Sequence, residues 1–396
     1  MKTSTAFSLA PGARVLWLSA AAGLALGACR TERAEYAGPS RSTPDLPEAQ
    51  PTSIPLAPQL SLFGEEGWTE KASLPADPMP LNGSPDSVDV ARVTFASEGA
   101  DFDPAVSADG RFMVFASTQH HPNPDIYLKA TGSTILTQLT SDAARDVMPA
   151  ISPDAQWIAY ASDRTLDWNI FVMPRTGGRP VQITWESSAE LHPTWSPDGS
   201  KLAYSKLGQT SGRWEIWISE VANSAAPQFV GYGLFPEWCP KAGAGPNGGE
   251  LLVFQRSAER GDRAFGIWAI ELKDGKVSSP SQLVGNPSTA YINPSWSPDG
   301  RSIVFASVSD PHAVRSATAG GVADSDLWMM SADGSTMVSL TNGSSSDLMP
   351  TWGGDGRIYF VSTRTGRDNV WSIDAGQAML AAGLTPAAPM ANAPSD

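Results

Sequence analysis

The heptapeptide PTWSPDG occupies residues 193–199, and the closely similar PSWSPDG occupies residues 294–300. A loop that serves a single site has no reason to recur, whereas a structural unit that is built several times does. In this motif Pro fixes φ at the first corner, Asp can accept hydrogen bonds from the following backbone, and Gly adopts the positive φ that a tight turn requires. The motif therefore predicts a β-hairpin turn that recurs along the chain.

Six segments can be aligned on the proline of this motif. They begin at Pro104, Pro149, Pro193, Pro236, Pro294 and Pro350. The spacings between these prolines are 45, 44, 43, 58 and 56 residues, and a period of about 40–45 residues is typical of a four-stranded propeller blade. The two longer spacings contain Gly- and Ala-rich insertions at 241–249 and 308–324, which are too short to hold a further blade.

Each segment repeats one order of patterns: a short strand, the SPDG-like turn, an alternating strand, a third strand with an aliphatic–aromatic pair, and a short fourth strand. The sixth segment lacks a convincing fourth strand, whereas VARVTF at 90–95 stands alone before the first. We therefore predict an all-β, six-bladed β-propeller of four-stranded blades, closed by an N-terminal strand (residues 90–95) that completes the last blade. The weaker segment AGLT at 382–385 competes for that place.

The repeats over residues 90–374 resemble the six-bladed propeller of the TolB family and the wider WD-like PxWSPDG repeat family. This resemblance implies a periplasmic protein that receives a protein partner at one mouth of its central channel. TolB proteins carry a folded α/β domain ahead of the propeller and have no lipid anchor. Here a different N-terminal region takes that place.

Residues 1–28 have the pattern of a secretory signal peptide, with an apolar run at 15–28 that is too short to span a bilayer. The run ends in Leu26-Gly27-Ala28-Cys29, which resembles the lipobox of bacterial lipoproteins and predicts that Cys29 is lipidated. An ordinary cleaved signal peptide with an incidental cysteine is the alternative. Because Arg30 rather than Asp follows the cysteine, the resemblance favours the outer membrane, with the protein facing the periplasm.

Residues 29–87 are rich in Pro, Ser, Ala and Glu, and we expect a disordered tether there. Within the tether, the stretch 60–74 carries two aromatic residues and either docks on the propeller or is plain linker. The predicted propeller domain covers 88–375, and a disordered tail covers 376–396.

The composition of 36 Gly, 33 Pro and 14 Trp, with only 17% charged residues, suits a turn-rich all-β chain. The net charge of −14 argues against a nucleic acid partner. We expect a monomer that binds an envelope protein or peptide and contacts the membrane through its lipid anchor.

Four of the six residues that lie three positions before the repeat prolines are acidic: Asp101, Asp146, Glu190 and Asp347. They are candidates for an acidic ring at the channel mouth that binds a cation or a basic partner. The favoured alternative is structural, with each carboxylate hydrogen-bonded at the start of the inner strand. His192 and Asn293, directly before their prolines, are candidate channel-lining residues.

The sequence contains no nucleophile elbow, zinc-protease helix motif, P-loop or dinucleotide fingerprint. His120 and His121 lie in a loop where we expect solvated side chains rather than a metal site, and Cys239 replaces the serine of the repeat as a buried small residue. The sequence therefore favours a non-enzymatic binding propeller. A polysaccharide lyase or hydrolase that acts in the channel is the alternative. We expect no cofactor, and a Ca²⁺ ion in the channel is left open.

Overall fold

The computed structural model describes residues 90–222, 225–257, 264–309, 325–342 and 345–381. Several predictions concern residues outside these ranges and stay predictions. They are those for the signal peptide, Cys29, the tether with its segment 60–74, most of the insertion 308–324, the AGLT segment and the tail beyond residue 381.

The described residues contain twenty-five strands in six antiparallel sheets, which form a six-bladed β-propeller. In chain order the strands are β1 (Val90–Arg92), β2 (Asp101–Val106), β3 (Phe112–Ser117), β4 (Asp125–Ala130), β5 (Thr137–Gln138), β6 (Asp146–Ile151), β7 (Trp157–Ser162), β8 (Asn169–Pro174), β9 (Val181–Gln182), β10 (Glu190–Trp195), β11 (Lys201–Leu207), β12 (Trp214–Glu220), β13 (Gln228–Tyr232), β14 (Leu234–Trp238), β15 (Glu250–Ser257), β16 (Phe265–Lys273), β17 (Lys276–Val277), β18 (Ser281–Val284), β19 (Thr289–Trp296), β20 (Ser302–Ser309), β21 (Ser325–Ser331), β22 (Met337–Ser339), β23 (Asp347–Trp352), β24 (Arg357–Ser362) and β25 (Asn369–Asp374).

Each sheet is one blade. In blades one to five the strands run in sequence order from the channel outwards, whereas blade six is β23-β24-β25 with β1 outermost. Blade one is β2-β3-β4-β5, and blades two, three and five repeat this order. In blade four the outermost place is shared by β17 and β18, which both pair with β16. The inner strands β2, β6, β10, β14, β19 and β23 contact one another in that order, and β23 contacts β2 again, so that the ring is closed.

The SPDG motif forms the turn between the first and second strands of a blade. In blade three the hydroxyl of Ser196 donates to Oδ1 of Asp198 (2.6 Å), and that oxygen also accepts from the backbone N–H of Ser200 (3.0 Å). Gly199 has φ +71° and closes the turn by donating to the carbonyl of Ser196 (2.8 Å). Asp198 and Gly199 thus have the roles that the sequence pattern predicted.

A threonine two residues after the fourth strand recurs in four blades and links that segment to the third strand. In each case Oγ1 accepts a hydrogen bond of 2.9 Å from a backbone N–H of the third strand. The pairs are Thr140 with Ile126, Thr184 with Ile170, Thr341 with Leu327, and Thr94 with Val370. The last pair joins residues 276 positions apart, and it shows that the N-terminal segment has the place of a fourth strand.

The ring is closed as predicted, by the N-terminal strand of blade six. Strand β1 pairs with β25, with Val90 opposite Ile373 and Arg92 opposite Trp371. The strand is shorter than the predicted 90–95, but the segment continues along β25 because the N–H of Ala96 donates to Oδ1 of Asn369 (2.9 Å). In the other blades the outer strand follows the third strand along the chain. In contrast, β1 comes from the opposite end of the propeller sequence and is held in its blade by non-covalent contacts.

The core consists of aromatic and aliphatic side chains between adjacent blades. The second strand of every blade contributes one aromatic residue that is at most 1% exposed: Phe115, Tyr160, Tyr204, Phe254, Phe305 and Phe360. Each lies opposite the aromatic residue of the third strand in the register of its blade. Burying one such ring contributes roughly 2 kcal/mol to folding, so the six layers hold the blades at fixed positions around the channel.

The predicted boundary of a disordered tail at residue 376 is wrong for its first residues. Ala375–Ala381 forms a helix, α1, and Oδ1 of Asp374 accepts from the N–H of Gln377 (2.8 Å) as its N-cap. The alanine-rich sequence AGQAMLA favours a helix intrinsically, and the buried face of α1 packs on blade six through Ala378. No helix in the described ranges is long and apolar enough to cross a membrane.

Candidate functional site

Every inner strand contains a bulge at the residue before the repeat proline. The pairing register with the second strand shifts at this point in all six blades. The residue before proline has φ between 51° and 55°, although none of the six is glycine: Asp103, Met148, His192, Phe235, Asn293 and Met349. Such a backbone conformation is costly for a non-glycine residue and is held only when the surrounding structure dictates it. A bulge re-aims the side chain, and here it turns six side chains towards the channel.

These six residues and the residues that follow the prolines line a central cavity of about 390 Å³. The first layer is the set of six residues before the prolines. The second layer consists of Ala105, Ala150, Thr194, Glu237, Ser295 and Thr351, directly after them. A cavity of a few hundred cubic ångströms with few polar groups among apolar ones has the size and character of a small-ligand site.

Three of the residues that line the cavity are titratable: Asp103, His192 and Glu237. They belong to blades one, three and four, respectively. None of the lining residues in the described part of the chain is a lysine or an arginine. The two acidic groups of this mostly apolar cavity thus have no lysine or arginine beside them in the wall.

The surrounding wall raises the pKa of both carboxyl groups. Burial raises the pKa of Asp103 to about 7, and the N–H of Met148, which donates to its Oδ2 (3.2 Å), offsets part of that effect. Burial also raises the pKa of Glu237 to about 7, partly offset by a hydrogen bond from the Thr194 hydroxyl. Both groups therefore lie close to the point of half-protonation at neutral pH.

His192 is the least satisfied polar side chain of the wall. It is 9% exposed, and neither of its ring nitrogens has a hydrogen-bond partner. Its ring lies on that of Phe235, with 3.5 Å between the centroids. Burial lowers the pKa of His192 to about 3, so the imidazole is neutral at physiological pH and offers one donor and one acceptor to a ligand.

The four acidic residues predicted at the channel mouth are not among the residues that line the cavity. Asp101, Asp146, Glu190 and Asp347 are each at most 1% exposed. They face the second strand of their own blade because the bulge that turns the residue before proline inwards comes after them. Whether they bind a partner is not tested by this placement, and that role stays a prediction.

Three of these carboxylates have clear partners. The hydroxyl of Ser117 donates to Asp101 (2.6 Å). Arg164 Nη2 donates to both oxygens of Asp146 (3.0 and 3.1 Å), and Arg364 Nη2 donates to Asp347 (2.7 Å). Burial raises the pKa of Asp101, Asp146 and Asp347 above the usual value, while these partners lower it. The environment is that of the structural alternative, although the donors are side chains rather than turn amides.

Sequence reasoning identified His192 and Asn293 as lining candidates, and both line the cavity. It missed Asp103 and Glu237. Their positions next to the repeat prolines could have identified them. Asp103 precedes Pro104 as His192 precedes Pro193, and Glu237 directly follows Pro236. Finding them required knowledge of the bulge, which brings the residues on both sides of the proline to the channel.

The other residues singled out in the sequence do not join this site. His120 and His121 lie in an exposed loop, and the described ranges hold no group of three or more His, Cys, Asp or Glu side chains that could bind a metal. The cysteine of blade four, Cys239, is fully buried with a free thiol, and burial raises its pKa. A buried thiol of this kind behaves as a small apolar residue.

Residues 89–263 match the family model of the TolB beta propeller domain. This is a TolB-like propeller. The uncharacterized protein Atu1656 of Agrobacterium fabrum (strain C58 / ATCC 33970) is 25% identical over 268 residues, which are 66% of this chain and 85% of that protein.

Two solved structures share the fold of this TolB-like propeller. One, assigned to TolB from Agrobacterium tumefaciens, has a TM-score of 0.52 at 19% identity and covers 72% of this chain and 96% of its own. The tricorn protease has a TM-score of 0.50 at 15% identity and covers 73% of this chain and 26% of its own. Since one of these is a protease, the fold is compatible with binding proteins and with enzymes.

Proposed function

We propose that this TolB-like propeller is a lipid-anchored binding protein of the bacterial cell envelope that takes a protein or peptide partner at its channel. The observation that supports this proposal is the cavity itself. Its wall carries two carboxyl groups and the unpartnered imidazole of His192, whereas Asp146 and Asp347 at the starts of their strands pair with arginines inside their blades. Buried polar groups are normally hydrogen-bonded, so an unpartnered group in a cavity marks a place where a ligand supplies the partner.

The proposed location rests on the N-terminal sequence. Lipidation of Cys29 after removal of residues 1–28 anchors the chain, and residues 29–87 hold the propeller at a distance from the membrane. The TolB-like character of the propeller favours the periplasm, and the residue after Cys29 favours the outer membrane. If Cys29 is lipidated, Cys29→Ser releases the protein from the membrane fraction, whereas Cys239→Ser does not.

Capture of the partner from native envelopes tests the binding role. The full chain is cross-linked in the envelope, and the captured proteins are compared between variants. We expect a partner that wild type captures and that is lost in Asp103→Asn/Glu237→Gln. The matched control is Asp167→Asn/Glu98→Gln, which removes the same two charges from exposed positions.

Equal capture by wild type, the channel variant and the control contradicts a channel site. The four strand-start acids are less suitable for this experiment. Their side chains are buried, so substituting them changes stability as well as charge.

A lyase or hydrolase that acts in the channel is the second candidate. It is favoured by the pKa of about 7 of Asp103 and Glu237, because a group with a pKa near the working pH is suited to general acid–base catalysis. Turnover of an envelope polysaccharide by the purified full chain, lost in Asp103→Asn or Glu237→Gln, distinguishes this candidate from the binding role.

A further inference from the structure

The two carboxyl groups of the cavity lie on opposite walls. Blades one to six contact one another in ring order, so blade one with Asp103 and blade four with Glu237 are three blades apart in either direction. Asp103 precedes its repeat proline and Glu237 follows its own, so they also belong to different layers of the wall. A ligand that contacts both must extend across the channel.

The walls around the two carboxyl groups differ in polarity. Asp103 is flanked in the first layer by Met148 of blade two and Met349 of blade six. Glu237 is flanked by polar residues of blades three and five, namely His192, Thr194, Asn293 and Ser295. A complementary ligand therefore has a positive charge at each end and an apolar section next to the charge that pairs with Asp103.

A metal ion does not fit this arrangement well. The acidic and histidine side chains of the described residues do not come together in a group of three that could hold one. Two carboxyl groups on opposite walls and in different layers suit two ammonium groups on an alkyl chain better than one ion. A methionine side chain is flexible and polarisable and adapts to such a chain.

We propose that the channel binds two ammonium groups joined by a short alkyl chain, as on the N-terminal lysine of a peptide, with one ammonium group on Asp103 and the other on Glu237. His192 accepts a hydrogen bond from the ammonium group at Glu237, which gives its free nitrogen a partner. This inference rests on the proposed binding function and names the part of the partner that enters the cavity.

Burial and charge agree with this assignment. Both carboxyl groups sit in a wall without lysine or arginine, and burial raises the pKa of each to about 7. The cost of ionising them in the empty channel is removed when an ammonium group arrives. Because the positive charge comes with the ligand, both half-buried carboxylates have a cationic partner only in the complex.

Calorimetric titration of the purified full chain tests the proposal. The probes are the peptide Lys-Ala-Ala-amide, 1,5-diaminopentane, acetyl-norleucyl-Ala-Ala-amide and Ca²⁺ alone. We expect binding of the lysine peptide and none of the norleucine peptide, which has the same length but no ammonium group. Asp103→Asn and Glu237→Gln are each expected to weaken binding roughly thirtyfold or more, as loss of one partner of a buried charge pair does. Asp167→Asn is expected to leave it unchanged.

A second variant distinguishes a loss of binding from a loss of folding. Ala150→Phe adds bulk to the cavity and leaves every charged residue unchanged, and it is expected to abolish binding while thermal unfolding shows a folded protein. If 1,5-diaminopentane binds as tightly as the lysine peptide, the channel site is supported and its ligand is a free diamine. Tighter binding of the peptide assigns it to a protein partner.

Three results overturn the proposal: equal binding of the norleucine peptide, no binding of either ammonium probe, or binding of Ca²⁺ alone. If a partner is still captured from envelopes but neither ammonium probe binds, the proposed binding function stands. Only the assignment of the channel to two ammonium groups is then wrong. Conversely, tight binding of the lysine peptide without any captured partner removes the protein-binding role and keeps the subsite.

Discussion

Acidic residues two positions apart have different environments in the same strand of this propeller. In blade one, Asp101 is buried against Ser117 of the second strand, whereas Asp103 borders the channel. The bulge at Asp103 separates the two environments, because it turns one side chain inwards after the strand has begun in regular register. At the scale of the residue, position relative to the bulge decides whether a carboxylate stabilises the blade or faces a ligand.

The pair of Arg164 and Asp146 gives a direct test of the structural role. Arg164→Met leaves the fully buried Asp146 carboxylate without its cation and removes the contact of the guanidinium with the ring of Phe171 (4.9 Å). We expect a loss of about 3 kcal/mol in the free energy of unfolding, measured by urea denaturation. Arg111→Met is the control. Its side chain is 76% exposed, and a change below about 0.5 kcal/mol is expected.

The channel carboxyl groups predict how stability depends on pH. Burial raises the folded-state pKa of Asp103 and Glu237 to about 7, whereas unfolded carboxyl groups titrate near 4. The folded protein therefore binds protons more tightly than the unfolded chain, and stability is lost as the pH rises from about 4 to about 7.

Asp103→Asn/Glu237→Gln removes this dependence. As the pH rises from 5 to 7, we expect the free energy of unfolding of the variant to increase relative to that of wild type by about 1–2 kcal/mol, measured by urea denaturation. This is less than the full linkage effect because the channel is partly hydrated. The exposed pair Asp167→Asn/Glu98→Gln is expected to follow the wild-type curve. Parallel curves for the channel variant and wild type would show that the two carboxyl groups are not shifted.

At the scale of the element, the hairpin turns of blades two and three, SPDA and SPDG, differ in one residue. Blade three has Gly199 at the last turn position with φ +71°, whereas blade two has Ala155 there with φ +55°. An alanine in this region of φ is strained by roughly 1–2 kcal/mol. These two turns can therefore be compared directly, because blade two has alanine where blade three has the glycine that a positive φ favours.

Ala155→Gly is expected to stabilise the protein by about 0.5–1 kcal/mol, since relief of the strain exceeds the entropic cost of glycine in the unfolded chain. Gly199→Ala is the reciprocal variant. A Cβ there meets only Pro153 at an ordinary contact distance of 3.7 Å, so a loss of about 1 kcal/mol through φ alone is expected. Both values follow from urea denaturation, and a destabilised Ala155→Gly contradicts the interpretation.

At the scale of the whole molecule, the sequence predicted the ring but not its interior. The spacing of the repeat prolines, the SPDG turns and the lone strand before the first repeat were enough to predict six blades and their closure, because each is a local pattern that recurs. The channel wall was not predictable in this way. Strand periodicity alternates strictly, and the bulge at residues such as Asp103 and His192 breaks the alternation where the side chains reach the channel. The helix after β25 was missed because it occurs once and has no repeat to reveal it.

Closure also makes a prediction for the entire fold. Strand β1 and the residues after it tie the first and last parts of the propeller together through Val90, Thr94 and Ala96, and Lys129 Nζ of blade one donates to the carbonyl of Val93 (2.7 Å). A chain that begins at residue 97 lacks all of these contacts and exposes the edge of β25. A chain that begins at residue 88 keeps them.

We expect the shorter chain to lose roughly 3–5 kcal/mol relative to the longer one, since several buried hydrogen bonds are removed together. It should also associate at raised concentration, because an unpaired strand edge recruits other strands. Urea denaturation and light scattering at two protein concentrations measure both effects. A lower stability that is restored by adding the peptide 88–97 in trans shows that the strand itself closes the ring. Equal stability of the two chains contradicts a closing role for β1, because the ring then holds through blade-to-blade packing alone.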